Sequence, residues 1–289
     1  MRVLLAIPHV FAPKEGSRYS SQTEAKRGLK QEALLNATIG NLNRHGQRHW
    51  IHASLGKGRS IVTRELRTDL GAELTIQLYS PKGASLSQQL PQVAGLEIIN
   101  PEVDDFTQVP LLASRRLLDQ AQDYDLVGYL EDDLLIEDPQ LFGKILYLDS
   151  LTDGSYAFLP HRCEHIPNRG DVILSGDPDG GRPDLFWDTG ETLTVPWPLG
   201  SVQFYRATNP HSGCYFLTRR QAQSVLCFWQ ERQWHAAFQL SGPLEQAGSG
   251  LLLPVLKVMK PNPAYYRFLM VRHLDELWRR HPEEQHSDL

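Results

Sequence analysis

Three consecutive acidic residues, Glu131, Asp132 and Asp133, follow directly on an apolar run that ends at Leu130. Such a run is typical of a buried strand, and open α/β sheets bind their ligands outside the carboxyl ends of strands. Adjacent carboxylates repel one another unless a proton or a cation neutralises them. Mg²⁺ binds one or two carboxylates together with substrate phosphates, and Mn²⁺ accepts the same oxygen ligands. The triplet therefore predicts a site for a divalent cation and a diphosphate, with a solvated turn as the alternative interpretation.

The chain before the triplet alternates between strand-like and helix-like patterns. Residues 3–7 form a short apolar run ended by Pro8, and residues 72–79 alternate apolar and polar side chains, so both segments are expected to be strands. The segments 28–44 and 111–122 carry apolar residues at helical spacing. This alternation predicts an α/β fold whose mainly parallel central sheet is flanked by helices.

The second half of the chain is less regular. The segment 170–198 is rich in Gly, Pro and Asp and is expected to be mostly loop, whereas 219–238 has apolar residues at helical spacing. No linker-like stretch separates two parts, so residues 1–289 are expected to form one domain with an elaborated C-terminal half.

The segment 113–133, with its helix, its strand and its acids, resembles the region of GT-A glycosyltransferases that carries the DXD motif. The resemblance implies a GT-A fold in which residues 1–138 bind a nucleotide-sugar and residues 139–289 bind the acceptor. It also implies that the acids bind a metal ion and the ribose or diphosphate of the nucleotide-sugar, with Asp133 on the metal. Glu131 stands where the family more often has Asp, so the resemblance says least about this residue.

Three later segments follow in the order of the family's motifs. The segment 209–217, which contains His211, Ser212 and Gly213, resembles the glycine-containing loop that lines the donor sugar and the acceptor, where glycine lets the backbone approach a ligand closely. A short acidic stretch ending at Glu245 resembles the motif at a helix start that supplies the catalytic base in inverting members, although Gln246 stands where a second acid is expected. The segment around His273 resembles the one whose histidine completes the metal site in many members.

Together these segments imply the transfer of a sugar from a UDP- or GDP-sugar to a carbohydrate or another hydroxyl acceptor, assisted by Mn²⁺ or Mg²⁺. Pro8, His9 and Arg18 are added to the candidate site because they follow the first strand. Arg115 is added because it lies in the helix before the acids, with a solvated helix face as the alternative. The expected site comprises Asp132, Asp133 and His273 for the metal, Pro8, His9, Arg18, Arg115, Glu131 and Asp132 for the donor nucleotide, His211, Ser212 and Gly213 for the donor sugar and acceptor, and Glu245 for catalysis.

Two other groups of residues invite a functional interpretation. His161, Cys163 and His165 would share one face of a strand and are Zn²⁺-binding residue types, but no fourth ligand is evident, so lining of the acceptor cleft is preferred. Aromatic side chains stack on sugar rings or fill cores. The candidates for stacking are Trp187, Trp197, Phe204 and Tyr205.

The bulk properties narrow the class of protein. A formal net charge of −5 argues against a nucleic-acid binder held mainly by phosphate neutralisation. No stretch reaches the roughly 20 apolar residues that a spanning helix needs, and the three widely spaced cysteines imply no disulfide framework. A cytoplasmic protein without a transmembrane segment is therefore expected.

Two alternatives to glycosyl transfer stay open. One is a sugar-phosphate nucleotidyltransferase, which usually carries a Gly-rich basic loop after the first strand; Lys14 to Arg18 is a poor version of that loop. The other is a noncatalytic carbohydrate-binding protein on a degenerate GT-A fold.

Overall fold

The structure, a computed structural model, describes residues 1–14, 23–46, 49–55, 61–67, 72–166, 170–174, 190–206, 211–234 and 242–274. Its strands in chain order are β1 (Arg2–Pro8), β2 (His49–Leu55), β3 (Ile61–Arg67), β4 (Glu73–Tyr79), β5 (Leu96–Ile99), β6 (Leu126–Leu130), β7 (Leu134–Leu135), β8 (Tyr156–Phe158), β9 (His161–Ile166), β10 (Gly170–Leu174), β11 (Thr192–Trp197), β12 (Gly200–Arg206), β13 (Cys214–Thr218), β14 (Lys257–Pro261) and β15 (Met270–His273). Its helices are α1 (Arg27–Leu35), α2 (Asn41–His45), α3 (Val109–Asp119), α4 (Leu141–Thr152), α5 (Arg219–Glu231) and α6 (Pro243–Glu245). Turns of π-helix occupy Asn36–Gly40 and Gln246–Gly250.

The central sheet has five strands in the order β13-β6-β1-β4-β5. The pairs β6/β1, β1/β4 and β4/β5 are parallel, and β13 joins the edge of β6 in the antiparallel direction. The strands β1 and β6 are almost continuously apolar because helices cover both faces of the sheet. The predicted α/β class with a mainly parallel sheet is confirmed.

The hydrophobic core divides over the two faces of this sheet. Alternate residues of β1 show the division: Leu5 packs in a cluster with side chains of α1 and α4, and Leu4 packs in a second cluster with side chains of α3 and α5. Successive strand residues point to opposite faces, so a strand buried on both sides needs apolar residues throughout. Among the described residues, no helix has the length and apolarity to cross a membrane.

Two four-stranded sheets built mainly from the second half of the chain flank the carboxyl edge of the central sheet. Their orders are β10-β9-β15-β7 and β11-β12-β14-β8. In the first of them His273 pairs with Leu134, and the Leu274 amide donates to the Asp133 carbonyl at 2.9 Å. This pairing carries the end of β15 to the acidic triplet.

The expectation that 170–198 is mostly loop is wrong at both of its described ends. β10 pairs with β9, and β11 pairs with β12 over six residue pairs. Cross-strand pairing stabilises these short segments in spite of their glycines and prolines. Residues 175–189 lie outside the described part of the chain. The helix expected over 219–238 ends at Glu231.

The helical segment 27–45 carries two buried polar side chains that bind the backbone just after the acidic triplet. The Asn41 side chain accepts from the Ile136 amide at 2.9 Å and donates to the Leu134 carbonyl at 3.2 Å. His45 Nε2 lies 2.8 Å from the Ile136 carbonyl oxygen and donates to it. Because buried backbone groups need partners, these two side chains position the chain directly behind Asp133.

Candidate active site

The acidic triplet lies at the carboxyl end of β6, next to the end of β1 in the central sheet. Glu131 and Asp133 are buried, and the side chain of Asp132 is 15% exposed. The Glu131 amide donates to the Gly213 carbonyl at 2.9 Å, which ties the triplet to the predicted donor and acceptor loop. Each of the three carboxylates has a different set of neighbours.

Asp132 is held by His9, the residue that follows β1. Nδ1 of His9 lies 2.5 Å from Oδ2 of Asp132, and the Leu86 amide donates to Nε2 of the same ring at 3.0 Å. Because Nε2 accepts this bond, the ring proton is on Nδ1 and is donated to the carboxylate. His9 and its neighbour Pro8 therefore lie beside the acids, as their position in the sequence predicts, and their role in donor binding stays a prediction.

Asp133 is held by Lys30, which sequence reasoning missed. Nζ of Lys30 lies 2.8 Å from Oδ2 of Asp133 and 3.8 Å from Oδ1 of Asp132. Burial acts to raise the pKa of Asp133, but the charges of Lys30 and His273 outweigh it and hold that pKa well below its usual range. Asp133 is therefore an anion with a built-in counterion.

His273 stands on the other side of Asp133. Its Nε2 lies 3.8 Å from Oδ2 of Asp133, and its Nδ1 lies 2.8 Å from Oε1 of Glu164. Burial acts to lower the pKa of His273, and the two carboxylates, Asp133 first, raise it above its usual value on balance. Glu164 on Nδ1 fixes the ring so that Nε2 faces Asp133.

The fit of these residues to a divalent cation is partial. Oδ1 of Asp133 is buried without a hydrogen-bond partner, and a histidine whose other nitrogen is held by a carboxylate is the usual form of a metal-ligating histidine. Asp133 and His273 thus fit a cation that brings phosphates as its further ligands. Among the described residues no group of three His, Cys, Asp or Glu side chains is arranged to hold a metal. The predicted set of Asp132, Asp133 and His273 stays a prediction, and in this structure Asp132 contacts His9 and Lys30.

Glu131 faces the loop before β13 and not the His9 side of the site. His211 Nε2 lies 3.4 Å from Oε1 of Glu131, and Arg162 Nη1 lies 3.7 Å from Oε2. Gly213 has φ +65°, and a Cβ at that position would lie 2.7 Å from Oε2 of Glu131. Glycine is therefore required at 213 both for the left-handed backbone and for the space that the carboxylate occupies.

A lysine of β14 holds the segment 211–213 in place. Nζ of Lys260 donates to the His211 carbonyl at 2.7 Å, and both residues are buried. A Cβ at Gly248, in the π-helical turn, would lie 3.3 Å from the Tyr129 ring and 3.6 Å from the His211 ring. The glycine-containing loop is thus packed between Glu131 and this second glycine-rich turn, with Ser212 fully buried.

Glu245 lies at the helix start that precedes this turn. A Cβ at Gly242 would overlap the Glu245 carboxylate, so the side chain is folded back towards the N-terminal end of its own helix. Burial is the main cause of the raised pKa of Tyr129, and the charges of Glu131, Asp132 and Glu245 add to it. Glu245 is therefore within electrostatic reach of the acid-bearing strand, and its role as base stays a prediction.

Of the remaining candidate residues, one contacts an aromatic ring away from the acids, and two lie in parts of the chain that the structure does not describe. The Arg115 guanidinium lies over the Trp234 ring, 5.3 Å from its centre, and no described contact joins it to the acids. Arg115 is exposed, and its role in donor binding stays a prediction. Arg18 and Trp187 lie outside the described residues.

The alternative zinc pattern is not assembled. His161 Nε2 donates to the Pro261 carbonyl at 2.7 Å, and Cys163 is buried. His165 is exposed and lies 3.2 Å from Asp171. Of the described aromatic candidates, Phe204 is core, packed against Phe158 and Phe268, while Trp197 and Tyr205 also make aromatic contacts within the fold.

Four charged residues near the acids were missed by sequence reasoning. Each has at most 6% of its surface exposed, although charged side chains are almost never buried unless paired. For one of them a signal existed, because Lys30 lies one turn before Leu34 on the apolar face of its helix. The four residues are Lys30, Arg162, Glu164 and Lys260.

Comparison with known proteins finds similarity to solved structures alone. No protein-family model matches the sequence, and no curated protein matches it. The structure is similar to the crystal structure of TarS 1–349 from S. aureus, with 11% identity and a TM-score of 0.44 over 90% of this chain and 58% of that chain. It is also similar to GalNAc-T7 with UDP, GalNAc and Mn²⁺, with 9% identity and a TM-score of 0.45 over 94% of this chain and 43% of that chain.

These similarities are those of fold alone. This chain spans about half the length of the proteins it matches. Its own site residues must therefore carry any argument about function.

Proposed function

We propose that this protein is a glycosyltransferase that moves a sugar from a nucleoside-diphosphate sugar to a hydroxyl acceptor. The observation that carries the proposal is the convergence of Asp132, Asp133, Lys30 and His273 at the carboxyl edge of a parallel sheet. This edge is where α/β sheets bind nucleotides. A mixture of buried acids and cations there suits a diphosphate and its counterion.

Within this proposal the two halves of the chain divide the work. Residues 1–138 bind the donor, with His9 orienting Asp132, and residues 139–289 bind the acceptor. Asp133 and His273 would hold Mn²⁺ or Mg²⁺, as their geometry towards one another permits. A cation so bound supplies Lewis-acid stabilisation of the leaving diphosphate.

The acceptor side of the site is formed by Glu131, the loop 211–213 and Glu245. Deprotonation of an acceptor hydroxyl needs a carboxylate within hydrogen-bond reach. Glu245 is partly exposed and directly precedes the turn that packs on His211, so it is the proposed base. Glu131 is buried between His211 and Arg162 and is proposed to position the loop.

Nucleotide binding tests the proposal directly. The full chain is titrated with UDP and GDP, with and without Mn²⁺, and incubated with a panel of UDP- and GDP-sugars to detect slow donor hydrolysis. We expect one nucleotide to bind with Mn²⁺ and to be released from its sugar. Asp133→Asn should abolish the Mn²⁺-dependent part of binding in the folded protein. Its melting temperature should fall, because the buried Lys30 loses its counterion.

The two alternatives predict different results in the same assays. Release of pyrophosphate from a nucleoside triphosphate and a sugar phosphate would favour a nucleotidyltransferase. Sugar binding that needs no metal and gives no turnover would favour a noncatalytic carbohydrate-binding protein. Absence of any nucleotide-dependent shift in melting temperature would remove glycosyl transfer from consideration.

A further inference from the structure

We propose that Lys30 is a diphosphate-binding residue, paired with Asp133 only until a divalent cation takes that carboxylate. In the nucleotide complex Lys30 then donates to the donor's diphosphate. This inference rests on the proposed function and deepens it, because it assigns to α1 a contact with the donor that no sequence motif indicated.

Lys30 is buried, and its ammonium group points at the acidic triplet. Its side chain is 6% exposed, and Nζ lies 2.8 Å from Asp133 and 3.8 Å from Asp132. A buried ion pair costs desolvation of both charges, and such pairs are weak contributors to stability. Apolar residues at positions 30 and 133 would therefore serve a purely structural role as well as this ion pair does. A phosphate-binding site, in contrast, requires the positive charge of Lys30.

Lys30 and a metal cation would compete for the same carboxylate. Oδ2 of Asp133 accepts from Lys30, and Nε2 of His273 faces that oxygen from 3.8 Å. A divalent cation held by Asp133 and His273 would place its charge close to the ammonium group, and like charges repel. The ammonium group must then turn to another acceptor.

A diphosphate supplies that acceptor at the required place. Divalent cations of this type keep substrate phosphates among their ligands, so phosphate oxygens would arrive beside the cation and within reach of Lys30. The lysine stem is flexible and carries three donors, so the head group can exchange partners without movement of the helix. Asn41 and His45 hold that helix to the segment 134–136 and fix the distance between the Lys30 backbone and the acids.

The experiment compares the wild type with Lys30→Met and Lys30→Arg. Lys144→Met serves as the matched control, because Lys144 pairs with Asp138 at 2.6 Å outside the site. Two affinities are measured for each protein: Mn²⁺ alone, by electron paramagnetic resonance of the free ion, and UDP at saturating Mn²⁺, by calorimetry.

Removal of the charge should move the two affinities in opposite directions. Lys30→Met should bind Mn²⁺ about tenfold more tightly, because a competitor is gone, and UDP about tenfold more weakly, because a charge-assisted hydrogen bond is lost. Lys30→Arg and Lys144→Met should stay close to the wild type. If Lys30→Met does not fold, Lys30→Gln is judged by the same two criteria.

The outcomes separate this inference from the function on which it rests. Unchanged Mn²⁺ and UDP affinities in a folded Lys30→Met or Lys30→Gln protein would overturn the role of Lys30, while UDP binding by the wild type would leave glycosyl transfer standing. A fall in both affinities would also overturn it, because that is the result of a merely structural lysine. A wild type that binds no nucleotide would overturn the proposed function itself.

Discussion

His273 and Glu164 form a buried pair in which Nδ1 lies 2.8 Å from a carboxylate oxygen, and the opposite ring nitrogen faces Asp133. Nδ1–H of His273 donates a hydrogen bond to the Glu164 carboxylate, so Nε2 is the nitrogen presented to the site. Neither β9, which carries Glu164, nor β15, which carries His273, belongs to the central sheet. The pairing of β15 with β7 brings the histidine to the acids, and the pairing of β15 with β9 brings Glu164 to the histidine.

The first prediction concerns metal affinity. Glu164→Gln keeps the size of the side chain and removes the charge that raises the pKa and the basicity of His273. Loss of such a partner typically weakens metal binding by about 10–100-fold, and we expect a change of that size for Mn²⁺. His165→Gln is the control on the same strand, because its side chain is exposed. Equal Mn²⁺ affinity in the two variants would exclude Glu164 from the site.

The second prediction concerns the support of the acidic triplet. Asn41→Ala removes the side chain that bonds to the Ile136 amide and the Leu134 carbonyl, both of them buried contacts. Unsatisfied buried polar groups cost about 1–3 kcal/mol, so urea denaturation should show a loss of that size. Asn43→Ala, on the exposed face of α2, should change stability by less than about 0.5 kcal/mol. If Asn41→Ala lost no more stability than Asn43→Ala, the Asn41 side chain would not be holding the segment 134–136 in place.

The sequence was most informative where strand ends define the site. Glu131 to Asp133 and His9 lie together at the carboxyl ends of β6 and β1, as predicted, because the ends of neighbouring parallel strands meet at one edge. That inference needs only the order of buried strands, which apolar runs reveal. The roles of these residues stay predictions. His273 came from the resemblance alone, since nothing in its own segment shows that β15 pairs beside β7.

Lys30 and Glu164 were missed for a physical reason. A lysine on the apolar face of a helix is ordinarily taken to place its head group in solvent, and only its tertiary partner shows that it does not. On β9, the alternation of His161, Cys163 and His165 suggested one functional face. Residues 161–164 are in fact all buried, so other parts of the fold cover both faces of β9. Such two-sided burial depends on non-local pairing that no local pattern encodes.

The third prediction is a pH dependence that arises away from the acids. Burial, with a contribution from the charge of Lys260, lowers the pKa of His161 to about 4. The unfolded chain therefore binds this proton between pH 6.5 and 4 and the folded chain does not, so stability falls as pH falls through that window. The corresponding loss is up to about 3 kcal/mol.

Replacement of His161 should flatten that dependence. His161→Gln keeps a donor for the Pro261 carbonyl and has no titrating group. The test is the urea midpoint at pH 4.5 and at pH 7 for the wild type and the variant. The urea midpoints at the two pH values should differ less in His161→Gln, because His161 no longer contributes to the difference. All other titrating groups are the same in the two proteins. Equal differences in the two proteins would show that His161 does not titrate in this range.

The fourth prediction isolates the contact between Gly213 and Glu131. Gly213→Ala combines a left-handed backbone at φ +65° with a Cβ 2.7 Å from Oε2 of Glu131, whereas Gly83→Ala, at φ +83°, meets no atom within 4 Å. Both variants carry the backbone cost of about 1–2 kcal/mol, and only Gly213→Ala adds overpacking, at about 1–3 kcal/mol. Chemical denaturation should therefore find the Gly213 variant clearly less stable, with UDP binding weakened as Glu131 and the loop 211–213 move apart. Equal losses of stability, with UDP binding intact, would mean that the Glu131 carboxylate yields to the new methyl group and that its buried position has no part in the site.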